Sequence, residues 1–309
     1  VYRDAGHILG SATMVLTIRE DGRTVKLGFT GDVGREDRPI LRDPQPMDDC
    51  DVLICESTYG GRTHDPPDQA RERLAEVVGE TARRGGKVVI PAFAVGRTQE
   101  LVYRLDQLTN EGRLPPIPMF VDSPLAVNVT EVFRRHPECY DAELRKYMES
   151  DDDPFGFSRL MYVRDVADSK KLNGSRLPMV IISASGMAEA GRILHHLRNT
   201  VEDPRNTVMI VGYCAPHTLG RRIVERRPRV KIFGVERDLR AEVRVLNAFS
   251  AHADKDELLW WAEACGSQVR KYFLVHGDPD QSEAFSGHLA EARMVSLVPT
   301  EGQSVDLDY

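Results

Sequence analysis

Several features are missing from these 309 residues, and each absence narrows the class of protein. No apolar run approaches the roughly 18 to 20 residues that a membrane-spanning helix needs. The N-terminus lacks the basic segment followed by an apolar one that marks a secretory signal. The five cysteines are odd in number and lack C-x-x-C spacing, so we interpret them as reduced thiols rather than zinc ligands. We therefore expect a cytoplasmic protein that does not associate with membranes.

The chain also lacks an excess of positive charge, because its 41 lysines and arginines are outnumbered by 48 aspartates and glutamates. The formal net charge of −7 argues against a protein that coats nucleic acid non-specifically, although it is compatible with a local basic groove. The apolar fraction of 41% is near the globular average. A chain of this length can bury a substantial core in two domains, or in one domain that carries a large insertion.

Several β-prone runs end in a residue that can bind a metal or move a proton. The run 25–29 stops at a Thr-Gly turn and leaves a carboxylate at its end, where a cation could be bound. Four more runs end in the same way. In chain order, the five terminal residues are His7, Asp32, Glu56, His252 (expected at the end of a run that starts at residue 242) and His276.

The order of the elements predicts a parent domain with an insertion. Asp21-Gly22 between two alternating β-prone runs predicts a hairpin. From residue 61 to 246, strands alternate with amphipathic helices, which favours a doubly wound α/β unit with a mainly parallel sheet. The candidate active residues flank this middle region. We therefore divide the chain into 1–60, 61–246 and 247–309.

Three predictions inside the middle region are specific. The spacing of apolar residues predicts a single helix over residues 138–148 and another over 188–198. A β-prone run predicts a single strand over 229–235.

His7, Asp32 and His276 form a candidate metal site. Imidazole and carboxylate ligands suit zinc, and two zinc ions that share a carboxylate can clamp an attacking hydroxide and a phosphoryl oxygen. Such a site hydrolyses phosphodiesters near neutral pH. Three ligands are too few for two ions, because each ion normally takes about four ligands from protein or water.

Five short motifs carry a resemblance to a known family. They are residues 5–11 (AGHILGS), 29–32 (FTGD), 56–60 (ESTYG), 249–254 (FSAHAD) and 274–277 (LVHG). Their sequence and order resemble the motifs of the metallo-β-lactamase fold nucleases of the β-CASP branch. That branch includes bacterial RNA-degrading enzymes and the eukaryotic cleavage and polyadenylation endonuclease.

The resemblance implies an α/β fold, namely a metallo-β-lactamase αββα sandwich, without its N-terminal part, that carries an inserted doubly wound α/β β-CASP domain. It implies a zinc-dependent ribonuclease in which a metal-bound hydroxide attacks phosphorus. His7 would bind one zinc, Asp32 would bridge both ions, and His276 would bind the second. His252 would be the general acid and Glu56 would orient it. A histidine at position 276 is typical of the members that act on RNA.

The chain departs from the family in one respect. The H-x-H-x-D-H motif, which supplies most of the metal ligands in the family, does not occur in these 309 residues. We expect that the sequence, which starts at Val1 inside a motif, is part of a longer protein that supplies the remaining ligands of a two-zinc site. The alternatives are a non-catalytic scaffold subunit of an RNA-processing complex and a hydrolase of small esters on the same fold. A homodimer is compatible with each.

Most candidate RNA contacts lie near the starts of helices in the middle region, where Arg97 is a candidate phosphate ligand. Ser250, in the FSAHAD motif that follows this region, is a further candidate. For Ser185 and Gly186, phosphate binding and ordinary capping are both open, because the free N–H groups at a helix start favour either. Ser123 is expected to cap a helix.

His136, His195, His196, His217 and His288 are expected to be structural or solvated, and the tryptophan pair is expected to be structural. We interpret His64 as a loop histidine, although it follows the Glu56 motif closely. Trp260 and Trp261 lie on a predicted helix with two leucines, so packing in the core is favoured over base stacking.

Overall fold

The computed structural model describes residues 1–47, 50–64, 67–246, 249–265 and 268–307. The chain forms two compact units. The first combines Val1–His64 with Ala251–Tyr309, and the second is Asp65–Ser250. The sequence-based division after residues 60 and 246 and the structural division after residues 64 and 250 differ by a few residues.

The first unit contains a six-stranded sheet in the order β1-β2-β3-β4-β13-β14. Its strands are β1 (Tyr2–Asp4), β2 (Ala12–Glu20), β3 (Arg23–Phe29), β4 (Val52–Glu56), β13 (Lys271–Val275) and β14 (Ser296–Leu297). The pairs β1–β2 and β2–β3 are antiparallel, and the turn at Asp21-Gly22 confirms the predicted hairpin. Strands β3, β4, β13 and β14 are parallel, so their carboxyl ends meet at one edge of the sheet.

One face of this sheet packs against α8 (Lys255–Ala264) and α9 (Pro279–Glu291). Leu53 and Leu274 from the sheet share a buried core with Trp261 and Phe285 from the helices.

The opposite face of the same sheet is apolar and partly exposed. In the β2–β3 hairpin, Leu16 pairs with Leu27 and Ile18 pairs with Val25, and these side chains share one face because residues alternate along a strand. Leu16 is 44% exposed and Ile18 is 43% exposed. Among the residues that the structure describes, the first unit therefore supplies one sheet with helices over one face, which is half of an αββα sandwich.

The second unit contains a six-stranded parallel sheet in the order β12-β9-β5-β8-β6-β7, and a separate β10–β11 hairpin. The strands are β5 (Lys87–Pro91), β6 (Met119–Val121), β7 (Leu160–Tyr162), β8 (Met179–Ser183), β9 (Thr207–Ile210), β10 (Arg229–Ile232), β11 (Val235–Asp238) and β12 (Glu242–Val245). The helices are α1 (Pro67–Arg83), α2 (Arg97–Asn110), α3 (Pro124–Arg135), α4 (Ala142–Tyr147), α5 (Val166–Gly174), α6 (Ile193–Thr200) and α7 (Leu219–Val224).

The composition of the central strands explains this architecture. Every residue of β5 and of β8 is buried, as expected for parallel strands that are covered on both faces. The parallel order with intervening helices confirms the predicted doubly wound α/β unit. None of the helices in the described part of the chain is long and apolar enough to cross a bilayer.

Both helix predictions in the second unit are wrong in extent. Residues 138–148 do not form one helix: a 3₁₀ turn ends at Cys139, and α4 starts afresh after Asp141, whose carboxylate accepts from the N–H of Leu144 at 2.6 Å. The helix predicted over 188–198 begins only at Ile193. Positive φ angles at Ala188 and Gly191 keep the preceding backbone out of the helical region.

Two strand predictions also fail. The strand predicted over 229–235 is the β10–β11 hairpin, because Phe233 and Gly234 adopt positive φ angles of 50° and 78° and reverse the chain. The run from residue 242 does not reach His252 as a strand. It ends at Val245 as β12, in the sheet of the second unit, and residues 247 and 248 lie outside the described residues. The sequence analysis also missed the short elements β7 and α5.

Candidate metal centre and catalytic pair

Three candidate residues of the first unit lie at the carboxyl edge of its sheet. Asp32 follows β3, Glu56 ends β4, and His276 follows β13. Glu56 lies beside Val275 in the parallel register, so the two loops start next to each other. The topology of the sheet therefore brings Asp32 and Glu56 close to His276, which lies more than 200 residues further along the chain.

His7 and His276 reach this edge because two glycines allow loops to touch. The N–H of Gly34 donates to the carbonyl of Ala5 at 2.7 Å, and a Cβ at Gly34 would lie only 2.0 Å from the carbonyl oxygen of Gly6. A Cβ at Gly277 would lie 2.5 Å from the carbonyl oxygen of Ser57. Any larger residue at either position would separate the loops that carry the candidate ligands.

Asp32 lies between two imidazoles. Its Oδ2 is 3.7 Å from His7 Nε2, and its Oδ1 is 3.3 Å from His276 Nδ1. Two groups of three residues could each hold a metal ion, because the ligand atoms within each group lie within 4.8 Å of one another. One group is His7, Asp32 and His252, and the other is Glu56, His252 and His276. The first unit thus has a cluster that matches the ligand types of a metal centre.

Glu56 and His252 form a pair beside this cluster. Nδ1 of His252 is 3.2 Å from both carboxylate oxygens of Glu56, and a carboxylate can only accept, so Nδ1 carries the hydrogen. The carboxylate of Glu56 is fully buried and also accepts from the N–H of Val33 at 2.6 Å. The carbonyl of Val33 accepts in turn from the N–H of Ala253 at 2.8 Å. This ladder orients the ring of His252.

The surroundings set the charges of these groups. Burial would raise the pKa of Glu56, but hydrogen bonds and charge from His252, together with those from Thr58 and Val33, keep its pKa below the usual value. Burial lowers the pKa of His7 to about 4; His252 adds to this effect, and Asp32 opposes it. At neutral pH Glu56 is therefore ionised and His7 is a neutral imidazole, the form in which a histidine can bind a metal.

The residues present fit zinc. Nε2 of His7 is the ring nitrogen that faces Asp32, while Nδ1 is buried on the other side of the ring, and the backbone of Ala251 is close enough to raise the pKa of this histidine. Imidazole and carboxylate are the donor types that zinc prefers. His7, Asp32 and His276 supply fewer than the four ligands of a closed zinc site, and the 309 residues contain no H-x-H-x-D-H motif.

Two positioning residues were missed or underestimated from the sequence. Thr58 Oγ1 is hydrogen-bonded to His276 Nδ1 at 3.1 Å. His64, interpreted as a loop histidine, donates from Nε2 to the carbonyl of His252 at 3.1 Å, and its own N–H donates to Asp254 at 3.0 Å. Burial lowers the pKa of His64 to about 4, so it is neutral. Only its closeness to the ESTYG motif pointed to this role.

The candidate phosphate ligands all lie in the second unit. Arg97 is buried and donates to the carboxylate of Glu100 at 2.8 Å, and Ser250 is only 3% exposed. Ser185 Oγ accepts from the N–H groups of Glu189 and Ala190, so its hydroxyl closes a turn. The assignment of these residues to phosphate binding remains a prediction.

Two structural predictions have clear outcomes. Ser123 caps α3, because its Oγ accepts from the N–H of Ala126 at 3.2 Å, as expected. Trp261 is 1% exposed in the core, which confirms its predicted role, whereas Trp260 is 43% exposed, so its predicted burial is wrong.

Comparison with protein-family models matches two regions. Residues 98–223 match the Beta-Casp domain, and residues 236–299 match the Zn-dependent metallo-hydrolase RNA specificity domain.

Curated relatives match nearly the whole chain. A ribonuclease of Thermus thermophilus is 38% identical over 94% of this chain and 65% of its own length. An RNase J-like protein of Methanocaldococcus jannaschii is 32% identical over 97% of this chain and 69% of its own length. The transcription termination factor FttA of Methanosarcina mazei is 33% identical over 90% of this chain, which spans 44% of that factor. The chain thus spans between under half and about two thirds of these relatives, and it belongs to the β-CASP branch of the metallo-β-lactamase fold nucleases.

Proposed function

We propose that the first unit carries part of the active site of a zinc-dependent ribonuclease that hydrolyses RNA phosphodiester bonds. The observation that carries this proposal is the convergence of Asp32 with His7 and His276, next to the Glu56–His252 pair. The match to an RNA specificity domain and the likeness to a named ribonuclease support RNA as the substrate.

His7, Asp32 and His276 would hold the zinc ions, with Asp32 shared because its two oxygens face different imidazoles. When bound, zinc lowers the pKa of water to about 7 and neutralises negative charge on a phosphoryl group. Asp32 is 37% exposed and His276 is 56% exposed, so a phosphodiester can approach the cluster from solvent.

His252 would donate a proton to the departing oxygen from Nε2. Glu56 holds the opposite nitrogen and stabilises the protonated ring, which is how a buried carboxylate commonly supports a catalytic histidine. His64 would act as a positioning residue, because it binds the carbonyl of His252 rather than any reacting group.

Because His252 belongs to both sets of possible ligand atoms, its role must be separated from metal binding. We would measure zinc content and RNA cleavage for the full-length protein and for three variants: Asp32→Ala, His252→Ala and His136→Ala. His136 is a matched control, since it is a histidine with a carboxylate neighbour, Glu138 at 2.7 Å, in the other unit.

We expect Asp32→Ala to lose both zinc and cleavage. His252→Ala should keep its zinc and lose about 10²- to 10⁴-fold in the rate of cleavage, the usual contribution of a general acid. His136→Ala should match the parent. If His252→Ala loses zinc to the same extent as Asp32→Ala, then His252 is a ligand and not the acid. If Asp32→Ala cleaves RNA at the parent rate, the proposal as a whole is wrong.

A non-catalytic scaffold role is the second candidate. It would be favoured if the full-length protein also lacked the H-x-H-x-D-H motif. A full-length protein that binds RNA but neither retains zinc nor cleaves RNA would decide for this role.

A further inference from the structure

The sheet of the second unit has a crevice between two adjacent strands. After β5 the chain continues through α2 to β6, toward the β7 edge of the sheet, whereas after β8 it continues through α6 to β9, toward the β12 edge. Right-handed crossovers in opposite directions place α2 and α6 on opposite faces of the sheet. The loops at the carboxyl ends of β5 and β8 therefore diverge, and ligands of open α/β sheets bind where such loops diverge.

An exposed aromatic ring lies at this crevice. Phe93, in the loop after β5, is 49% exposed. Its ring rests on Gly186, in the loop after β8: a Cβ at Gly186 would lie 2.7 to 3.0 Å from three atoms of the ring. Only glycine leaves room for the ring at this position, so one side of Phe93 is seated against backbone and the rest is open to solvent.

The backbone of Phe93 is also fixed. Its carbonyl accepts from both the N–H and the Oγ1 of Thr98, at 3.2 and 2.8 Å. The next residue back in the chain, Ala92, donates to the carbonyl of Ser183 at 3.0 Å and ties the two loops together. A rigid, half-exposed ring offers stacking area at little cost in conformational entropy.

A cation, Arg222, lies in α7, the short helix whose start contacts the loop after β8. The N–H of Gly220, at the start of α7, donates to the carbonyl of Met187, which follows Gly186 in the loop. Two residues further on, Arg222 donates from Nη2 to the carbonyl of His217 at 3.0 Å and forms no ion pair with any residue in the described part of the chain. Its charge is thus available to a phosphate group.

We propose that Phe93 stacks on an unpaired nucleobase of single-stranded RNA, with Arg222 supplying charge for the backbone of the same strand. This inference rests on the proposed function, since it takes RNA as the substrate. A ring has no donor or acceptor, so stacking on it tolerates every base and requires only that the base is unpaired.

The test is binding of a short fluorescent single-stranded RNA to full-length protein that has been stripped of metal, so that no cleavage occurs. The variants are Phe93→Ala, Phe93→Leu and Phe93→Trp. Phe93→Leu keeps an apolar contact on Gly186 but lacks the ring, which keeps the test valid if alanine impairs folding. Phe233→Ala is the matched control, because Phe233 is 50% exposed in the same unit, at the tip of the β10–β11 hairpin.

We expect Phe93→Ala and Phe93→Leu to weaken binding by about five- to 150-fold, the range for loss of one stacked base. Phe93→Trp should bind as tightly as the parent, with quenching of the new indole by RNA. Phe233→Ala should bind like the parent. An oligonucleotide of abasic sites should bind the parent and Phe93→Ala equally, because no base is left to stack.

Three outcomes would overturn the inference. If the parent binds single-stranded RNA and Phe93→Leu binds it equally well, Phe93 does not stack on a base while the proposed function stands. If Phe93→Ala loses as much affinity for the abasic strand as for the normal one, its effect is structural. If the parent does not bind single-stranded RNA, the proposed substrate and the inference fail together.

Discussion

Two buried aspartates of the second unit should respond in opposite ways to the same substitution. Asp106, on α2, is fully buried. Its Oδ2 accepts from the hydroxyl of Tyr147 at 2.8 Å, while its Oδ1 has no hydrogen-bond partner among the described residues. The charged groups that act on it most are carboxylates, Asp151 and Asp153. Within the described part of the chain, this buried carboxyl group thus has no cation as an ion-pair partner.

The stability effect follows from the pKa of Asp106. Burial raises this pKa from 3.8 to about 7; the Tyr147 hydroxyl opposes the rise, and Asp151 and Asp153 add to it. The folded protein therefore binds the proton more tightly than the unfolded chain does, so this group stabilises the fold most below pH ~4 and its contribution is lost as the pH rises to about 7. At 1.36 kcal/mol for each tenfold change in proton affinity, the loss has an upper bound of ~4 kcal/mol.

Asp122, which follows β6, is the contrasting case. It is fully buried too, but its Oδ1 accepts from Arg192 Nη1 at 2.6 Å and its Oδ2 from Ser169 and His196. Burial would raise its pKa, yet these hydrogen bonds keep the pKa below its usual value. Its charge therefore contributes stability above pH ~4, and that stability is lost as the pH falls further. Removing one partner of a buried ion pair typically costs about 3 to 5 kcal/mol.

We would replace each residue by asparagine and follow hydrogen–deuterium exchange of β5 and β6 between pH 5 and 8.5, corrected for the intrinsic exchange rate. These strands report on the second unit alone. Asp106→Asn should be more stable than the parent at pH 8, by up to ~4 kcal/mol, with a difference that shrinks toward pH 5. Asp122→Asn should be about 3 kcal/mol or more less stable at pH 8. A destabilised Asp106→Asn at pH 8, or a difference that does not change with pH, would refute the reasoning.

Two further predictions concern the first unit. Cobalt serves as a spectroscopic substitute for zinc. Gly34→Ala should weaken cobalt binding by at least about 10-fold, because the added methyl group would meet the carbonyl of Gly6 and displace the loop of His7. Gly79→Ala is the control and should bind cobalt like the parent, because a Cβ at that position meets no atom within 4 Å. Trp261→Ala should lower the free energy of unfolding in urea by about 3 to 5 kcal/mol. Trp260→Ala, at a 43% exposed position, should lower it by less than about 1 kcal/mol. Equal losses would show that side-chain exposure does not determine the stability contribution of these two tryptophans.

The elements that the sequence predicts well are those with strong local signals. The Asp21-Gly22 turn and the uninterrupted apolar run of β5 need no distant residue to be recognised. The β10–β11 hairpin was missed because its turn places Phe233, an aromatic residue, at a positive φ angle that usually belongs to glycine or asparagine. The strand β7 is three residues long, too short for any periodicity to show.

The residues of the candidate site also differ in whether a local sequence signal predicts them. Asp32, Glu56 and His276 could be anticipated because each ends or follows a recognisable strand. The role of His64 could not, because its partners, the carbonyl of His252 and the carboxylate of Asp254, lie 188 and 190 residues away in the sequence. Local patterns identify groups able to do chemistry, whereas the groups that orient them are selected by contacts that only the folded chain creates.

In both units the carboxyl ends of parallel strands determine where the loops with candidate functional residues begin. In the first, parallel strands align their carboxyl ends, and the loops that follow bring Asp32 and His276 within 3.3 Å of each other. In the second, adjacent parallel strands end in loops that diverge, and Phe93 is seated on Gly186 between them. In both cases the sheet fixes where a loop begins, and one glycine decides how closely the next loop may approach. A larger residue at Gly34 or Gly186 should therefore disturb two loops at a sheet edge, because its Cβ would meet the carbonyl of Gly6 or the ring of Phe93.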